Sequence, residues 1–487
     1  MNMNRMLANI GKLMLPLCFL SYGGNAQTRT LEYRAEIGGA TSAQPFWLHA
    51  DTRGKISPDT YLWGNFGLFT GYTQTHTRAF DFTFGAEGTG TLGSDKHRLF
   101  VNQLFGKIRW QNLTLQAGMW DKEEVYDGLS ACNGNLLYAN NTRNMPGISF
   151  ATWDYLKLAK WLWVKFNYDE YLMIDDRYVE KAHVHNKLLG VKVNITPQFD
   201  LKVGIEDYAQ WGGKAPEGKK KYNAKDYIRL VLSMKGGSNA SLSDQINVLG
   251  NHIGRYYVHL DYRHKTFEAN FYYNHMYEDG SGMRFQNWQD GLYGIHLTRK
   301  DNDLWFKSFV YEFYCTKDQS GPLHDRPATE EEKAHQDPNS PFYGRIILGG
   351  MDNYLNHGEY RSGWSLYGQM IGVPFFTPAP AADGIIRGTC NNRFIAHHWG
   401  VSGRLPLWDM HYKLLCSYSL NYGTYGTPFK NEAGENITKP QFSFGFGLTV
   451  PEKKIPFQTD LRLGFDKGDL LKNRFGAMLS ISKTGIF

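Results

Sequence analysis

The sequence predicts an all-β chain closed into a transmembrane outer-membrane barrel of about 18 antiparallel strands, with a small periplasmic irregular or helical part. Three observations predict it. The chain opens on an export leader, alternates with a period of two along its length, and ends in a strand whose last residue is Phe487.

The leader comes first. Residues 1–26 contain Arg5 and Lys12 and no acid, then an apolar run from Leu13 to Leu20, then Gly23-Gly24-Asn25-Ala26. A charged head, a short apolar core and small residues at the exit make a secretory signal peptide, cut after Ala26. The apolar run is too short for a membrane helix, which needs about 20 apolar residues. Cleavage leaves 461 residues and Cys132, Cys315, Cys390 and Cys416. Four cysteines allow three pairings, and export permits disulfides without proving one. Their wide spacing excludes a CxxC redox or zinc signature.

Residues 27–62 form an N-terminal periplasmic segment. Residues 41–62, with Gln44-Pro45-Phe46-Trp47-Leu48 and Ser57-Pro58, read as irregular or briefly helical, and Tyr33–Ala40 is the alternative reading as a first strand. Residues 63–487 make the barrel. No later stretch approaches 18 continuous apolar residues, which excludes a helical membrane protein. Alternation recurs instead. Phe80, Phe82 and Phe84 share one face, with Asp81, Thr83 and Gly85 opposite. Phe442, Phe444 and Phe446 alternate with Ser443, Gly445 and Gly447, and Leu461, Leu463 and Phe465 alternate with Arg462, Gly464 and Asp466. The pleat sends successive side chains to opposite faces. A soluble sandwich shows the same pattern, but export, aromatic strands and chain length favour a barrel. In hydrocarbon an open sheet edge leaves backbone groups unpaired, so the sheet closes. At about 25 residues per strand with its connection, the mature chain supplies about 18 strands. Phe475, Ala477, Leu479 and Ile481 lie in step with Phe487. That ending resembles the closing strand which the barrel assembly machinery receives.

Short turns are expected at Asn194–Gln198 and Pro451–Pro456. Long polar breaks fall at Asp121–Pro146, Gly212–Asp226, Lys235–Gly254, Asp318–Phe342, Pro374–His397 and Thr424–Pro440. In barrels of this type the long loops are extracellular. Residues 328–336 predict a short helix within one break.

Chemistry narrows the function. A net charge of +6 without a dominant patch points away from nucleic acid. The chain has no G-x-S-x-G elbow, no H-E-x-x-H helix and no phosphate loop. His183/His185 and His397/His398 are the compact metal-like spacings, and two ligands do not close a site. The sequence therefore predicts no enzyme, no metal and no cofactor. What remains is a polar, aromatic set of loops. Arg143 and Asn144 offer donors to hydroxyls or uronic carboxylates. His324 lies in another break. Asp352, Asn353, Tyr354 and His357 offer acceptors, donors and a stacking face. Those seven are the candidate glycan-binding residues. The alternatives are a loop or lumen network at Asp352–His357 and an internal acid partner for Arg143. Membrane interfaces also collect Trp and Tyr.

Several stretches resemble the capsule assembly Wzi family, in its Bacteroidetes-type branch. They are Pro45-Phe46-Trp47-Leu48, Gly134-Asn135-Leu136 with Asn141 to Pro146, and Asp318 to His324. The fullest runs from Gly350-Met351-Asp352-Asn353-Tyr354 through Gly363-Trp364 to Ile371-Gly372-Val373-Pro374-Phe375. Thr142-Arg143-Asn144 departs from the Ala-Arg-Pro form expected there. The resemblance implies an 18-stranded, plugged outer-membrane barrel with a periplasmic helical part. It implies attachment or organisation of capsular or surface polysaccharide at the cell surface, by binding rather than catalysis. The chain is expected in the cell outer membrane as a monomer, with outer-membrane lipid or lipopolysaccharide as a further partner. The alternative function is a channel for oligosaccharides or other small solutes.

Overall fold

The computed structural model describes residues 30–71, 80–237, 240–241, 244–245, 248–301, 305–319, 326–340, 342–346, 352–453 and 455–487. The predicted leader lies outside them. The wall consists of β1 Leu31–Ala40, β2 Thr60–Thr70, β3 Phe80–Gly93, β4 His97–Trp110 and β5 Leu113–Met119. Next come β6, Gly147–Thr152 continued by Leu156–Lys157, then β7 Leu162–Leu172, β8 His183–Thr196 and β9 Phe199–Trp211. After a long connection follow β10 Asn251–Arg263, β11 Phe267–Tyr277, β12 Gly291–Arg299 and β13 Ser308–Cys315. The last five are β14 Phe394–Leu405, β15 Met410–Asn421, β16 Lys439–Val450, β17 Gln458–Gly468 and β18 Arg474–Ile486. Each strand pairs antiparallel with the next, and β1 pairs with β18. The sheet is a closed barrel of 18 strands, because both pieces of β6 pair with β7. Among the described residues no helix is long and apolar enough to cross a membrane.

The two faces are inverted relative to a water-soluble sheet. Along β3 the inward Asp81, Glu87, Thr89 and Thr91 are buried, while Phe80 and Leu92 are exposed. Leu99 is 89% exposed and Phe475 69%. An outward apolar band and a polar interior are the pattern lipid selects.

Connections sort by end. Turns at 111–112, 197–198, 264–266 and 406–409 share the end that holds both chain termini. The connections 120–146, 212–250, 316–393 and 422–438 share the other. The predicted helix within 328–336 forms at Glu330–Ala334, where Thr329 and Glu332 make a reciprocal cap.

Three segments fold inward from the loop-bearing end. The irregular N-terminal stretch does so first. Its single helical turn, α1 Phe46–His49, lies inside the wall. Gly445, Gly464 and Gly476 form its bed; a Cβ on any of them would stand within 2.8 Å of Trp47, Leu48 or Pro45 atoms. The segments 120–146 and 352–376 fill the loop-side half. Their Leu136, Leu137, Tyr138, Trp364, Ile371 and Phe376 pack with wall residues Tyr171, Tyr208, Met276 and Tyr314 into one apolar core. Ala139 N donates to Ile371 O at 3.0 Å and Val373 N to Leu136 O at 3.2 Å, so the two segments are stitched together. Below them the lumen keeps a chamber of about 830 Å³ lined by Trp47, Lys55, Asn65, Lys413 and Arg462.

Candidate functional site at the loop face

The connections at the loop-bearing end meet over the plug. Arg177 is buried, pairs with Asp175 at 3.1 Å, and donates to Gly363 O at 3.2 Å and Ser365 O at 3.1 Å. This clamp ties the β7–β8 connection to the long 316–393 connection. It also fixes the next residue, Tyr178. The Arg361 guanidinium lies 4.8 Å from the Tyr178 ring centre and that of Arg387 5.3 Å. Tyr178 Oη donates to Glu217 Oε1 at 2.6 Å, and Arg387 pairs with Asp383 at 2.8 Å. The hydrogen bond to Glu217 pushes the Tyr178 hydroxyl above its ordinary value. Further round the mouth, Arg393 lies 3.8 Å from the Tyr425 ring centre, Lys317 4.8 Å from Tyr422 and Lys439 4.5 Å from Phe429. The mouth is therefore rimmed by cations resting on rings. Such a surface offers flat faces to sugar rings and fixed charges to carboxylates.

The predicted residues divide. Arg143 lies between the rings of Phe100, at 4.1 Å, and Tyr367, at 3.7 Å. It stacks on rings. Tyr367 N in turn donates to Asp175 Oδ2 at 3.1 Å, so Arg143 borders the Tyr178 cluster. Asn144 points inward and donates to Asp121 Oδ1 at 2.7 Å and Asn102 O at 3.2 Å. His324 lies outside the described residues. Asp352, Asn353, Tyr354 and His357 form one short segment. Asn353 is exposed, and its Oδ1 accepts from Asn392 Nδ2 at 2.6 Å and Asn356 Nδ2 at 2.9 Å.

Tyr354 departs from its expected role as a stacking face. It is 0% exposed, and its hydroxyl donates to Asp290 Oδ2 at 3.0 Å and accepts from Asn287. Its ring belongs to the apolar core. The His357 Nδ1 accepts from Glu359 N and Tyr360 N, both at 3.2 Å. Burial lowers its pKa to about 4, so it stays the neutral acceptor that this turn needs. Most of this segment is packed and hydrogen-bonded within the loop.

Asp352 N donates to Gln319 O at 3.0 Å. Burial, then the charges of Asp279 and Asp290, raise the Asp352 carboxyl to about 8. An unfolded Asp loses its proton near pH 4. Between about pH 4 and pH 8 the folded segment holds a proton that the unfolded one does not, so its stability falls as pH rises through that window. Local stability of 352–357, from amide exchange corrected for intrinsic rates, is expected to decline from pH 5 to pH 8. Asp352→Asn is expected to flatten that decline.

Sequence reasoning missed Tyr178, Arg361 and Arg387. Arg361 adjoins the Glu359-Tyr360 pair, and Tyr178 sits in a ten-residue connection, 173–182, with Asp175-Asp176-Arg177 before it. An Arg next to a Tyr in a break was the available signal for Arg361 and Tyr178; Arg387, between Ile386 and Gly388, carried none. The His pairs are also placed. His183 and His185 face outward, and His398 lies inside, bonded to Ser417 and Leu129 O at 2.8 Å each. Among the described residues no three His, Cys, Asp or Glu side chains converge as metal ligands. The four described cysteines are free thiols.

A family model described as capsule assembly protein Wzi matches residues 30–326. The chain belongs to this family. The match takes in 13 of the 18 wall strands and the 120–146 plug segment, and stops short of the 350–375 stretch. Among solved structures, Wzi of Escherichia coli, an outer-membrane carbohydrate-binding β-barrel involved in group 1 capsule assembly, aligns with a TM-score of 0.53 at 12% identity. The alignment covers 93% of this chain and 84% of that one. OccAB2 of Acinetobacter baumannii aligns at 0.48 and 12% identity over 96% and 100% of the two chains. OccK5 of Pseudomonas aeruginosa aligns at 0.45 and 11% identity over 94% and 98%. At these identities the likeness is one of fold. No curated relative matches the chain in sequence.

Proposed function

We propose that this chain is a non-catalytic outer-membrane protein that holds capsular or other surface polysaccharide on its loop face, as a Bacteroidetes-type member of the Wzi family. The observation that carries the reading is Tyr178 flanked by Arg361 and Arg387 above a filled half-lumen. Family membership and the carbohydrate binding of Escherichia coli Wzi support it. A long polymer held outside has no need to thread the barrel. Uronate or other acidic sugars suit the site, because a guanidinium–carboxylate bond is the stronger class. Arg143, stacked between two rings, is the inner edge of the site, and Asn353 adds an exposed amide from the same long connection as Arg361 and Arg387.

The test is retention of surface glycan on cells. Losing two charge-assisted bonds costs about 3 kcal/mol, or roughly a hundredfold in affinity. Arg361→Ala/Arg387→Ala is expected to shed glycan into the medium while the barrel assembles normally. Unchanged retention in that variant removes the assignment. The channel alternative predicts stepwise openings in planar bilayers; the filled half-lumen predicts silence.

A further inference from the structure

The connection 212–250 begins over the plug, where Ala215 joins the apolar core, and its stretch 224–234 then lies outside the wall. Tyr171 and Tyr208 face the plug, where both touch Tyr138. Their neighbours Glu170 and Asp207 therefore face away from the lumen, as do His185 and Lys187 on β8, paired with Glu170 and Tyr168 across the sheet. Outward positions on a membrane barrel belong to lipid, yet His185 is fully buried. A helix covers it: α2, Ala224–Val231. Tyr227 Oη bonds Glu170 and Tyr168, the latter at 2.6 Å, and the Tyr227 ring lies 5.1 Å from Trp211. Just beyond the helix, Ser233 accepts from Lys187 Nζ at 3.0 Å. The Lys187–Asp207 pair, at 2.6 Å, and His252, 3.0 Å from Asp207, complete a polar seam between helix and wall.

One flank of α2 and the turn that follows it carry exposed apolar residues. Ile228 is 57% exposed, Leu232 62% and Met234 49%. Two residues down β8 from Lys187, outward Leu189 is exposed at the edge of the apolar band. The same segment, 212–237, holds seven basic residues against two acids. Both acids are engaged, Glu217 by Tyr178 and Asp226 by Arg229 at 3.5 Å, while Lys219, Lys221, Lys225 and Lys235 are exposed. A short apolar flank, Ile228 on the helix with Leu232 and Met234 just after it, bordered by lysines and lying where the apolar band gives way to the loops, has the make-up of an interfacial anchor for anionic lipid.

We propose that α2 and its flanking lysines form a docking site on the outer wall for a phosphorylated, multiply acylated glycolipid of the outer leaflet. Its phosphates lie on Lys219, Lys221 and Lys225, and its acyl chains against Ile228, Leu232 and Met234. The site adjoins the glycan cluster at Glu217, which Tyr178 holds, but uses none of that cluster's residues and rests only on the outer-membrane placement. Charge complementarity selects this occupant over a second copy of the chain, which would bring its own lysines to the same face.

Native mass spectrometry of the full-length protein in detergent tests this, with synthetic bisphosphorylated hexa-acyl lipid A as the probe. A one-to-one adduct is expected. Lys219→Glu/Lys221→Glu/Lys225→Glu is expected to weaken it about tenfold or more, and so is removal of both phosphates from the probe. Ile228→Ser/Leu232→Ser is expected to weaken both lipids. Arg361→Ala/Arg387→Ala is expected to leave the adduct unchanged, which separates this site from the glycan reading. A heat-shifted electrophoretic band confirms that each variant is folded. An adduct indifferent to the lysines or to the phosphates overturns the proposal. A two-chain species abolished by Ile228→Ser/Leu232→Ser also overturns it and gives the face to a second copy.

Discussion

Glu312→Ala is expected to loosen the plug's hold on the wall while leaving the barrel closed. The Glu312 carboxylate on β13 is fully buried and accepts four hydrogen bonds. Ser130 Oγ donates at 2.5 Å, Ala131 N at 2.9 Å, Tyr272 Oη at 2.8 Å and Tyr314 Oη at 2.6 Å. Two of these donors belong to the 120–146 segment. Each donor stranded without an acceptor costs about 1–3 kcal/mol. The wall survives because β13 is held by backbone pairing to β12 and β14. A loss of about 4 kcal/mol from plug docking lowers amide protection across 129–141 by roughly a thousandfold. Hydrogen exchange on the detergent-folded variant checks this, with protection in β13 expected to persist. Glu312→Gln keeps one acceptor oxygen and is expected to fall between the two.

Deleting β18 has the largest effect of all: no folded barrel forms. Arg474–Ile486 is bonded on one side to β17, from Gln458↔Ser482 to Asp466↔Arg474, and on the other to β1, from Glu32↔Ile486 to Ala40↔Met478. Its loss opens two edges at membrane depth. An unpaired backbone group in hydrocarbon costs several kcal/mol, so a dozen of them exceed the stability of any domain of this size. The heat-modifiable band that marks a closed barrel is expected to vanish. Phe487→Ala is milder, because it removes one ring contact, to Tyr33 at 5.2 Å, and keeps the backbone bond to Leu31 O.

The wall was legible because one rule governs it. Each strand has a lipid face and a polar face, and Phe80/Asp81 or Leu461/Arg462 displays both within two residues. The destination of the connections was not. Trp364, Ile371, Val373 and Phe376 sit in a segment that alternation does not describe. Their apolar character signals burial without saying that the burial is inside the barrel. Tyr354 was read as a binding ring for the same reason: an aromatic residue between polar ones fits a sugar platform and a plug equally, and only packing separates them. His183 and His185 pose the opposite case, since polar residues on an outward face make sense only once α2 is seen to cover His185. The helix itself left a trace, Asn223 and Asp226 as a reciprocal cap with Ile228 and Leu232 four apart. Arg143 shows the limit of reading single residues. Its charge was evident, but that it rests between Phe100 and Tyr367 follows from two distant segments meeting.

The measurement closest to the central claim is a calorimetric titration of the folded, full-length protein with purified acidic surface polysaccharide, beside the Arg361→Ala/Arg387→Ala variant. The loop-face account predicts saturable binding by the unaltered protein and a loss of roughly a hundredfold in the variant. It also predicts that raising the salt concentration weakens the unaltered protein's binding, as exposed charge pairs require. Absence of binding by the unaltered protein, or equal affinity in both, contradicts it.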